Sequence, residues 1–257
     1  GASILLATGR ARHDLLVVAE PVFLRDLDKA WGRPSARVRL SFLPGVEAPS
    51  APGHEDALMS YERGGLGVLV ARGRTSVYEG EAARSATALA RIASGARLRA
   101  ALLVTRATPL RGSGDVAGGS APGQVRVVAD HLNLSGGSLF PAPGMVSAGW
   151  DATLTERLGS LRGVSGSSVV ALVPGPLRPS PAESRALVSL GADAAVTDSV
   201  AEAMILAARG VAVSALTYLD APAAGGNLGR AQLSLRQASG VTLAAVEEIL
   251  RSLRAGS

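Results

Sequence analysis

The chain has 257 residues, of which 47% are hydrophobic and 3% aromatic, so it is long enough to bury a large core built mainly from Ala, Val and Leu. Its formal net charge of +5 comes almost entirely from scattered arginines, and with few aromatic side chains to stack on bases we expect no nucleic-acid partner. The absence of cysteine excludes disulfides and cysteine zinc sites, the three histidines lack metal-ligand spacing, and no apolar run is long enough to span a membrane.

Short β-branched runs alternate along the chain with amphipathic stretches, which is typical of an α/β domain. We expect one domain over residues 1–257, with a mixed, mostly parallel central sheet flanked by helices. The predicted strands are 15–19, 37–42, 67–71, 100–105, 125–129, 168–173, 194–196 and 211–216. The predicted helices are 81–94, 181–190, 200–209 and 242–253, and the predicted surface loops are 44–53, 111–123 and 136–149.

The helix over 181–190 has the clearest boundary signals. Ser180 precedes Pro181 as an N-cap before the first helical residue, and Glu183 stands at the capping-box position. Gly191 is typical of the residue that ends such a helix.

Three segments of the chain carry recognisable motifs. Residues 73–80 read GRTSVYEG, residues 130–134 read DHLNL after a predicted strand, and residues 175–210 contain GPLRPSPAE followed by LGADAAVTDSVAE and a helix. In this order they resemble the trimeric purine nucleoside phosphorylase family, which includes methylthioadenosine phosphorylases, and its patterns G-R-x-H-x-Y-E-G, D-H-I-N-L, G-P-x-[FY]-E-T-P-A-E and L-G-A-D-x-V-G-M-S-T-x-P-E. The resemblance implies a nucleoside phosphorylase-like fold, a homotrimer with sites near subunit boundaries, and phosphate-dependent cleavage of purine nucleosides to base and pentose 1-phosphate.

The positions that the resemblance assigns to phosphate are mostly altered. Arg74 is retained, whereas Ser76, a neutral donor, replaces the family histidine. The family's Gly-rich first loop falls at 19–23, so that Glu20 replaces a phosphate-binding serine and a proline without an N–H follows it. Asp198 replaces the serine of G-M-S-T. Two carboxylates in this position would repel a phosphate dianion.

The positions that the resemblance assigns to the purine are altered as well. The family's glutamate and its neighbouring aromatic residue align with Pro179 and Arg178, and the family's T-N-A-A-G-G reads TRATPL at 105–110. The purine-holding asparagine aligns with Ala221, or with Asp220 after a slip of one residue. Methylthioadenosine phosphorylases have an aspartate there, so Asp220 leaves open the recognition of a 6-aminopurine.

Each candidate residue also has a structural interpretation. Arg74 could pair with Glu79, Glu20 or Asp198 as an ion cluster, and Tyr78 could either orient a ligand hydroxyl or pack in the core. Asp130 and His131 at a strand end are more typical of structural residues than of catalytic ones. The candidate catalytic residues are Asp198, Glu20 and Asp220, and the candidate ligand-binding residues are Arg74, Ser76, Tyr78, Arg178 and Thr197.

Three hypotheses about function follow. The first is a diverged family member that converts a small molecule without phosphate, by carboxylate-assisted hydrolysis, isomerisation or cyclisation, in specialised metabolism of a GC-rich bacterium. The second is a phosphorylase of the ordinary kind, and the third is a catalytically silent subunit or binding protein. We expect a homotrimer or a mixed trimer with a paralogue, no cofactor, no metal and a cytoplasmic location, since the N-terminus lacks the pattern of a signal peptide.

Overall fold

The computed structural model describes residues 1–76, 83–110, 121–135, 149–175, 178–220 and 228–256. The helices of the described residues lie in both halves of the chain and alternate with strands, as the sequence predicts. The helices are α1 Ala2–Thr8, α2 Pro21–Trp31, α3 Ala83–Ala86, α4 Ala88–Ser94, α5 Ala152–Gly159, α6 Pro181–Ser189, α7 Val200–Ala207 and α8 Leu228–Ala255, and a 3₁₀ turn covers Leu40–Phe42.

One mixed sheet runs through these described segments. Its strands are β1 Leu15–Val18, β2 Ala36–Val38, β3 Leu58–Arg63, β4 Leu66–Ala71, β5 Ala100–Pro109, β6 Val125–Asn133, β7 Val164–Leu172, β8 Ala194–Val196 and β9 Ala212–Leu219. The strand order is β2-β3-β4-β1-β5-β8-β7-β6-β9, and β9 also pairs with β5. The pairs β1–β4, β1–β5, β5–β9, β6–β7 and β7–β8 are parallel, which confirms the predicted mixed, mostly parallel sheet.

Helices cover both faces of the sheet, and this explains the continuous apolar strands. Leu16 and Val18 of β1 belong to a core cluster that includes residues of α1, α4 and α7, whereas Leu15 and Val17 belong to a second cluster with α2, α5 and α8. A strand buried on both faces reads as an unbroken hydrophobic run rather than as an alternating one. Ala, Val and Leu make up most of both clusters, and the second also contains Phe23, Trp31, Tyr61 and Tyr218.

The predicted helix boundaries agree with the structure where capping chemistry sets them. Ser180 accepts from the N–H of Glu183 while the Glu183 side chain accepts from the N–H of Ser180, so the capping box predicted for α6 is confirmed. The N–H of Gly191, which has a φ of 93°, donates to the carbonyl of Val188 just beyond this helix.

Several element predictions were wrong or incomplete. The strand predicted over 37–42 ends at Val38 and continues as the 3₁₀ turn, and β3 was missed. The helices α1, α2 and α5 were also missed, and the last helix begins at Leu228 rather than at residue 242. The predicted loops over 111–123 and 136–149 lie largely outside the described residues, whereas 44–53 is irregular as expected.

No helix in the described segments combines the length and hydropathy needed to cross a bilayer. In the same segments, no three His, Asp or Glu side chains gather as they would around a metal ion.

Candidate active site

Charged side chains converge where four mutually parallel strands end. Glu20 follows β1, Arg74 follows β4 by three residues, Arg106 lies in the last part of β5, and Asp220 follows β9. In α/β sheets the carboxyl ends of parallel strands are the usual place for a ligand. Asp198 reaches the same group of residues from the turn between β8 and α7.

Arg74 is buried, and groups of the protein itself surround its guanidinium. Nη2 donates to the backbone carbonyls of Val18 and Val104, each at 3.0 Å, and Nη1 donates to Oδ1 of Asp198 at 2.8 Å. Nε lies 3.4 Å from Oε2 of Glu202. Burial alone would lower the pKa of Arg74, but the charges of Asp198 and Glu202 outweigh burial and raise it, so the guanidinium stays charged.

Asp198 is the carboxylate that fills the position in front of Arg74. Its Oδ1 accepts from Arg74 and, through a short hydrogen bond, from the hydroxyl of Thr105, while its side chain keeps 15% exposure. The following residue, Ser199, is buried with a φ of 65°, which is an unusual conformation for a residue with a Cβ. This unusual backbone conformation therefore directly follows the carboxylate that binds Arg74.

Ser76 and Thr197 lie together at the same turn. The Ser76 hydroxyl donates to the carbonyl of Thr197 at 2.8 Å, and Ser76 is buried. The two predicted ligand-binding residues are thus brought together by a contact that joins the segment after β4 to the segment after β8.

Glu202 belongs to this cluster, although the sequence analysis did not single it out. It is buried at the third position of α7, where the N–H of Ser199 hydrogen-bonds to it. Its Oε2 has no hydrogen-bond partner among the described residues. Burial raises the pKa of Glu202 to about 7, against the opposing influence of Arg74. The glutamate that ends the family pattern L-G-A-D-x-V-G-M-S-T-x-P-E falls at this position and was the available signal.

Arg106 was also missed, and it organises the second half of the site. Its Nε lies 2.9 Å from both carboxylate oxygens of Glu20, and its Nη1 donates to Oδ1 of Asp220 at 2.9 Å. Its guanidinium carbon lies 5.4 Å from the ring centre of Phe23 and 6.0 Å from that of Tyr218. The sequence had shown only that the family's T-N-A-A-G-G was lost at this point.

Glu20, predicted to lie in a phosphate-binding loop, has a different local role. It is the N-cap of α2, and Pro21 is the first helical residue, as is common at helix starts. The open glycine loop of the family is therefore replaced by a helix start with a buried carboxylate.

The charges of the whole cluster are unequal. Two guanidinium groups, those of Arg74 and Arg106, face four carboxyl groups, which belong to Glu20, Asp198, Glu202 and Asp220. With Glu202 neutral the sum is −1, and with Glu202 ionised it is −2. This field favours neutral or cationic ligands over anions.

The structure leaves some predicted site residues apart from this cluster or undescribed. Arg178 is exposed and no contact joins it to the cluster within the described residues. Tyr78, Glu79 and Ala221 lie outside the described residues. Of the structural alternatives for Arg74, pairing with Asp198 is confirmed.

His131 and Asp130 are engaged locally. The Asp130 carboxylate accepts from the N–H of His131, and Nδ1 of His131 accepts from the indole of Trp150 at 3.1 Å. Both contacts agree with the structural interpretation of this pair.

Together, the fold and the position of the site define a class of protein. The fold is similar to that of isoform 2 of purine nucleoside phosphorylase from Schistosoma mansoni, solved in complex with cytosine and ribose-1-phosphate. The match covers 96% of this chain and 93% of that chain, with a TM-score of 0.77 and 18% identity. A second structure from the same organism, in complex with inosine, has a TM-score of 0.75 over 97% of this chain and 93% of its own, also with 18% identity. The chain is therefore an α/β protein with the nucleoside phosphorylase fold.

Sequence comparison then gives the family. The purine nucleoside phosphorylase of Mycobacterium tuberculosis is 33% identical over 242 residues, covering 91% of this chain and 87% of that protein. The Mycobacterium leprae enzyme is 33% identical over 85% of this chain and 80% of its own. The chain belongs to the purine nucleoside phosphorylase family. No protein-family model matches it.

Proposed function

We propose that this protein acts on a small organic molecule without phosphate as co-substrate. The observation that carries the proposal is the engagement of Arg74 by the protein itself: two backbone carbonyls and Asp198 accept hydrogen bonds from its guanidinium, and Glu202 lies 3.4 Å from its Nε. A phosphate would have to displace the Asp198 carboxylate from a buried, charge-assisted hydrogen bond.

Electrostatic repulsion supports the same proposal. Two unit charges of like sign 4 Å apart repel by about 4 kcal/mol at an effective dielectric constant of 20. A phosphate dianion beside Arg74 would meet Asp198 and, above neutral pH, Glu202 as well. One arginine cannot offset both carboxylates and the dianion.

The carboxyl groups could divide the proton transfers of such a reaction. Asp198 is engaged through Oδ1, and Oδ2 accepts no hydrogen bond from another described residue, so this oxygen is the candidate base. Glu202, whose pKa is raised to about 7 by burial, can hold a proton at neutral pH and is the candidate proton donor. Hydrolysis, isomerisation and cyclisation would all use this division of roles.

A second candidate is phosphorolysis, and the sequence similarity favours it. Identity of 33% over 91% of the chain to a protein named purine nucleoside phosphorylase is the observation on its side. A third candidate is a silent subunit, which the pairing of Glu20 with Arg106 and of Asp198 with Arg74 favours, because guanidinium groups of the protein itself occupy both carboxylates.

We also propose a homotrimer, or a mixed trimer with a paralogue, in the cytoplasm of a bacterium. The family membership supports this assembly, and co-purification with a paralogue would identify the mixed form.

Release of free base from inosine, guanosine, adenosine and methylthioadenosine, each with and without phosphate, separates the candidates. Phosphate-independent conversion that is lost in Asp198→Asn would support the first proposal. Phosphate-dependent release would establish the second candidate in its place. Lack of any conversion, combined with stable association with an active paralogue, would favour the silent subunit.

A further inference from the structure

A separate cavity of about 350 Å³ lies between α2, the short strand β2 and β3. This volume is large enough for a small organic molecule. The residues that line the cavity are different from those of the charged cluster in the candidate active site. Three arginines, two carboxylates and an apolar floor line it, so it combines charged and hydrophobic surface.

Arg72 is the buried cation of this cavity, with a side chain that is 9% exposed. Its Nε donates to Oε2 of Glu55 at 2.6 Å, and its Nη1 donates to both carboxylate oxygens of Asp28, at 2.8 and 2.9 Å. Burial alone would lower the pKa of Arg72, but Asp28 and Glu55 outweigh burial and raise it, so the guanidinium stays charged. Among the described residues Nη2 donates no hydrogen bond, which leaves the donors of one nitrogen unused on a fixed cation.

Two exposed arginines add positive charge to the same cavity. Nη2 of Arg37 lies 3.9 Å from Oε2 of Glu55, and Arg33 forms no ion pair with another residue that the structure describes. With Arg72, three guanidinium groups face the carboxylates of Asp28 and Glu55, so the formal charge of the lining is +1. This charge matches a ligand that carries one negative charge.

The floor of the cavity is apolar and well packed. The buried ring of Tyr61 meets the ring of Trp31 edge-on, with the ring centres 5.2 Å apart. The Tyr61 hydroxyl donates to Sδ of Met59 at 3.3 Å, so its proton is used within the floor. A guanidinium beside an apolar floor suits a carboxylate that is attached to a small hydrophobic body.

We propose that this cavity is a binding site for a small organic monocarboxylate with an aromatic or apolar body. The carboxylate accepts from Nη2 of Arg72 and is attracted by Arg33 and Arg37, while the body lies over Met59 and Tyr61. The site is separate from the candidate active site, so this inference does not rest on the proposed function.

Three small probes separate the contributions of charge and hydrophobic body. Benzoate has both features, benzamide has the ring without the charge, and acetate has the charge without the ring. By calorimetry or ligand-observed NMR at low ionic strength, we expect benzoate to bind at least about tenfold more tightly than either analogue, and to bind more weakly as salt is added. Lack of benzoate binding, or an equal affinity for benzoate and either analogue, would overturn the proposal.

A probe inside the cavity tests where benzoate binds. In protein labelled with ¹³C at the methionine methyl groups, the Met59 signal is the one that is lost in Met59→Leu. We expect this signal to shift as benzoate is added, because the ring should lie over the Met59 side chain. Saturable binding of benzoate without a shift of the Met59 signal would place the ligand elsewhere and contradict the assignment.

Variants of the arginines test the cation. Arg72→Lys keeps a positive charge for Asp28 and Glu55 but lacks the second donor nitrogen, so benzoate should bind at least about tenfold more weakly. Arg33→Gln removes one exposed charge and should weaken binding about threefold. Arg185→Gln changes an exposed arginine of α6 outside the cavity and should leave the affinity unchanged.

Thermal melts show whether each variant is folded. If Arg72→Lys does not fold, Arg33→Gln and Arg37→Gln decide the question, because neither side chain makes one of the buried hydrogen bonds of Arg72. Unchanged benzoate affinity in the folded cavity variants, or an equal loss in Arg185→Gln, would show that these arginines do not hold the carboxylate.

Discussion

Asp198 occupies the position in front of Arg74 as an internal anion. Its carboxylate is bound by a buried guanidinium and by the Thr105 hydroxyl, the kinds of donor that proteins use for oxyanions. The Asp198 carboxylate thus provides beside Arg74 the negative charge that a bound phosphate would otherwise bring. Asp198 is therefore the carboxylate whose replacement tests most directly whether the cluster can take an external anion.

Replacing Asp198 by serine should open the cluster to inorganic phosphate. The change removes one negative charge and one acceptor, which leaves Nη1 of Arg74 free to donate, and serine adds a small donor. We expect phosphate or sulfate to bind at least about tenfold more tightly to Asp198→Ser than to the unaltered protein, since the repulsion removed is worth a few kcal/mol. Calorimetric titration at low ionic strength measures the difference.

Asp198→Asn is the matched control for this prediction. Asparagine keeps the size and an oxygen that can accept from Arg74, so the gain should be smaller than with serine. If neither variant binds phosphate more tightly, Asp198 does not block anion binding and the electrostatic argument is wrong.

The residue pattern predicted some of this cluster and missed the rest. Asp198 and Glu20 were expected there because the resemblance placed each at a position where the family has serine. Thr105 and Arg106 were not expected, because their partners are distant in sequence and reach them only when β5 pairs with β1, β8 and β9. These side-chain contacts form only in the folded sheet, so no local sequence pattern predicts them.

Among the elements, the start of α6 was the most predictable boundary. The capping box of α6 uses a serine and a glutamate three residues apart, so its whole signal is local. The strand β3 was missed because Leu58–Arg63 ends in two charged residues, and pairing with β4 rather than periodicity fixes it as a strand. Where an element is stabilised by tertiary contacts, sequence periodicity alone is a weak guide.

Loss of the α6 cap should cost measurable stability. In Ser180→Ala the N–H of Glu183 loses its acceptor, and we expect the free energy of unfolding to fall by about 1 kcal/mol. Chemical denaturation followed by circular dichroism measures the change. Ser184→Ala, in the same helix but with only a 3.4 Å contact to the Pro179 carbonyl, is the control and should change stability less. Equal losses in the two variants would argue against the capping assignment.

Two buried titratable groups should govern how the stability of the whole molecule depends on pH. His13 is fully buried, with Nε2 2.9 Å from the Ser60 hydroxyl, and burial and then Arg10 lower its pKa to about 4. Stability from the neutral imidazole is therefore complete above about pH 6.5 and is lost as the pH falls towards 4. Glu202 acts in the opposite direction.

Because the pKa of Glu202 is raised to about 7 from 4.5, its contribution is present below pH 4.5 and is lost as the pH rises through 7. Glu202→Gln cannot ionise, so the variant does not lose this unfolding free energy as the pH rises. Relative to the unaltered protein, we expect the variant to gain about 2 kcal/mol of unfolding free energy between pH 5 and pH 8. Denaturant titrations at the two pH values measure the difference, and an unchanged difference would mean that Glu202 is ionised throughout this range.

Between pH 4.5 and 6.5 the two groups should nearly cancel, since each changes the unfolding free energy by about 2 kcal/mol with opposite sign. His13→Gln keeps an amide nitrogen near Ser60 but does not titrate, so its stability relative to the unaltered protein should rise as the pH falls across this window. Glu202→Gln should show the reverse trend. If the unfolding free energy of both variants followed the same pH dependence as that of the unaltered protein, neither group would set it. The surface ion pairs would then be its source.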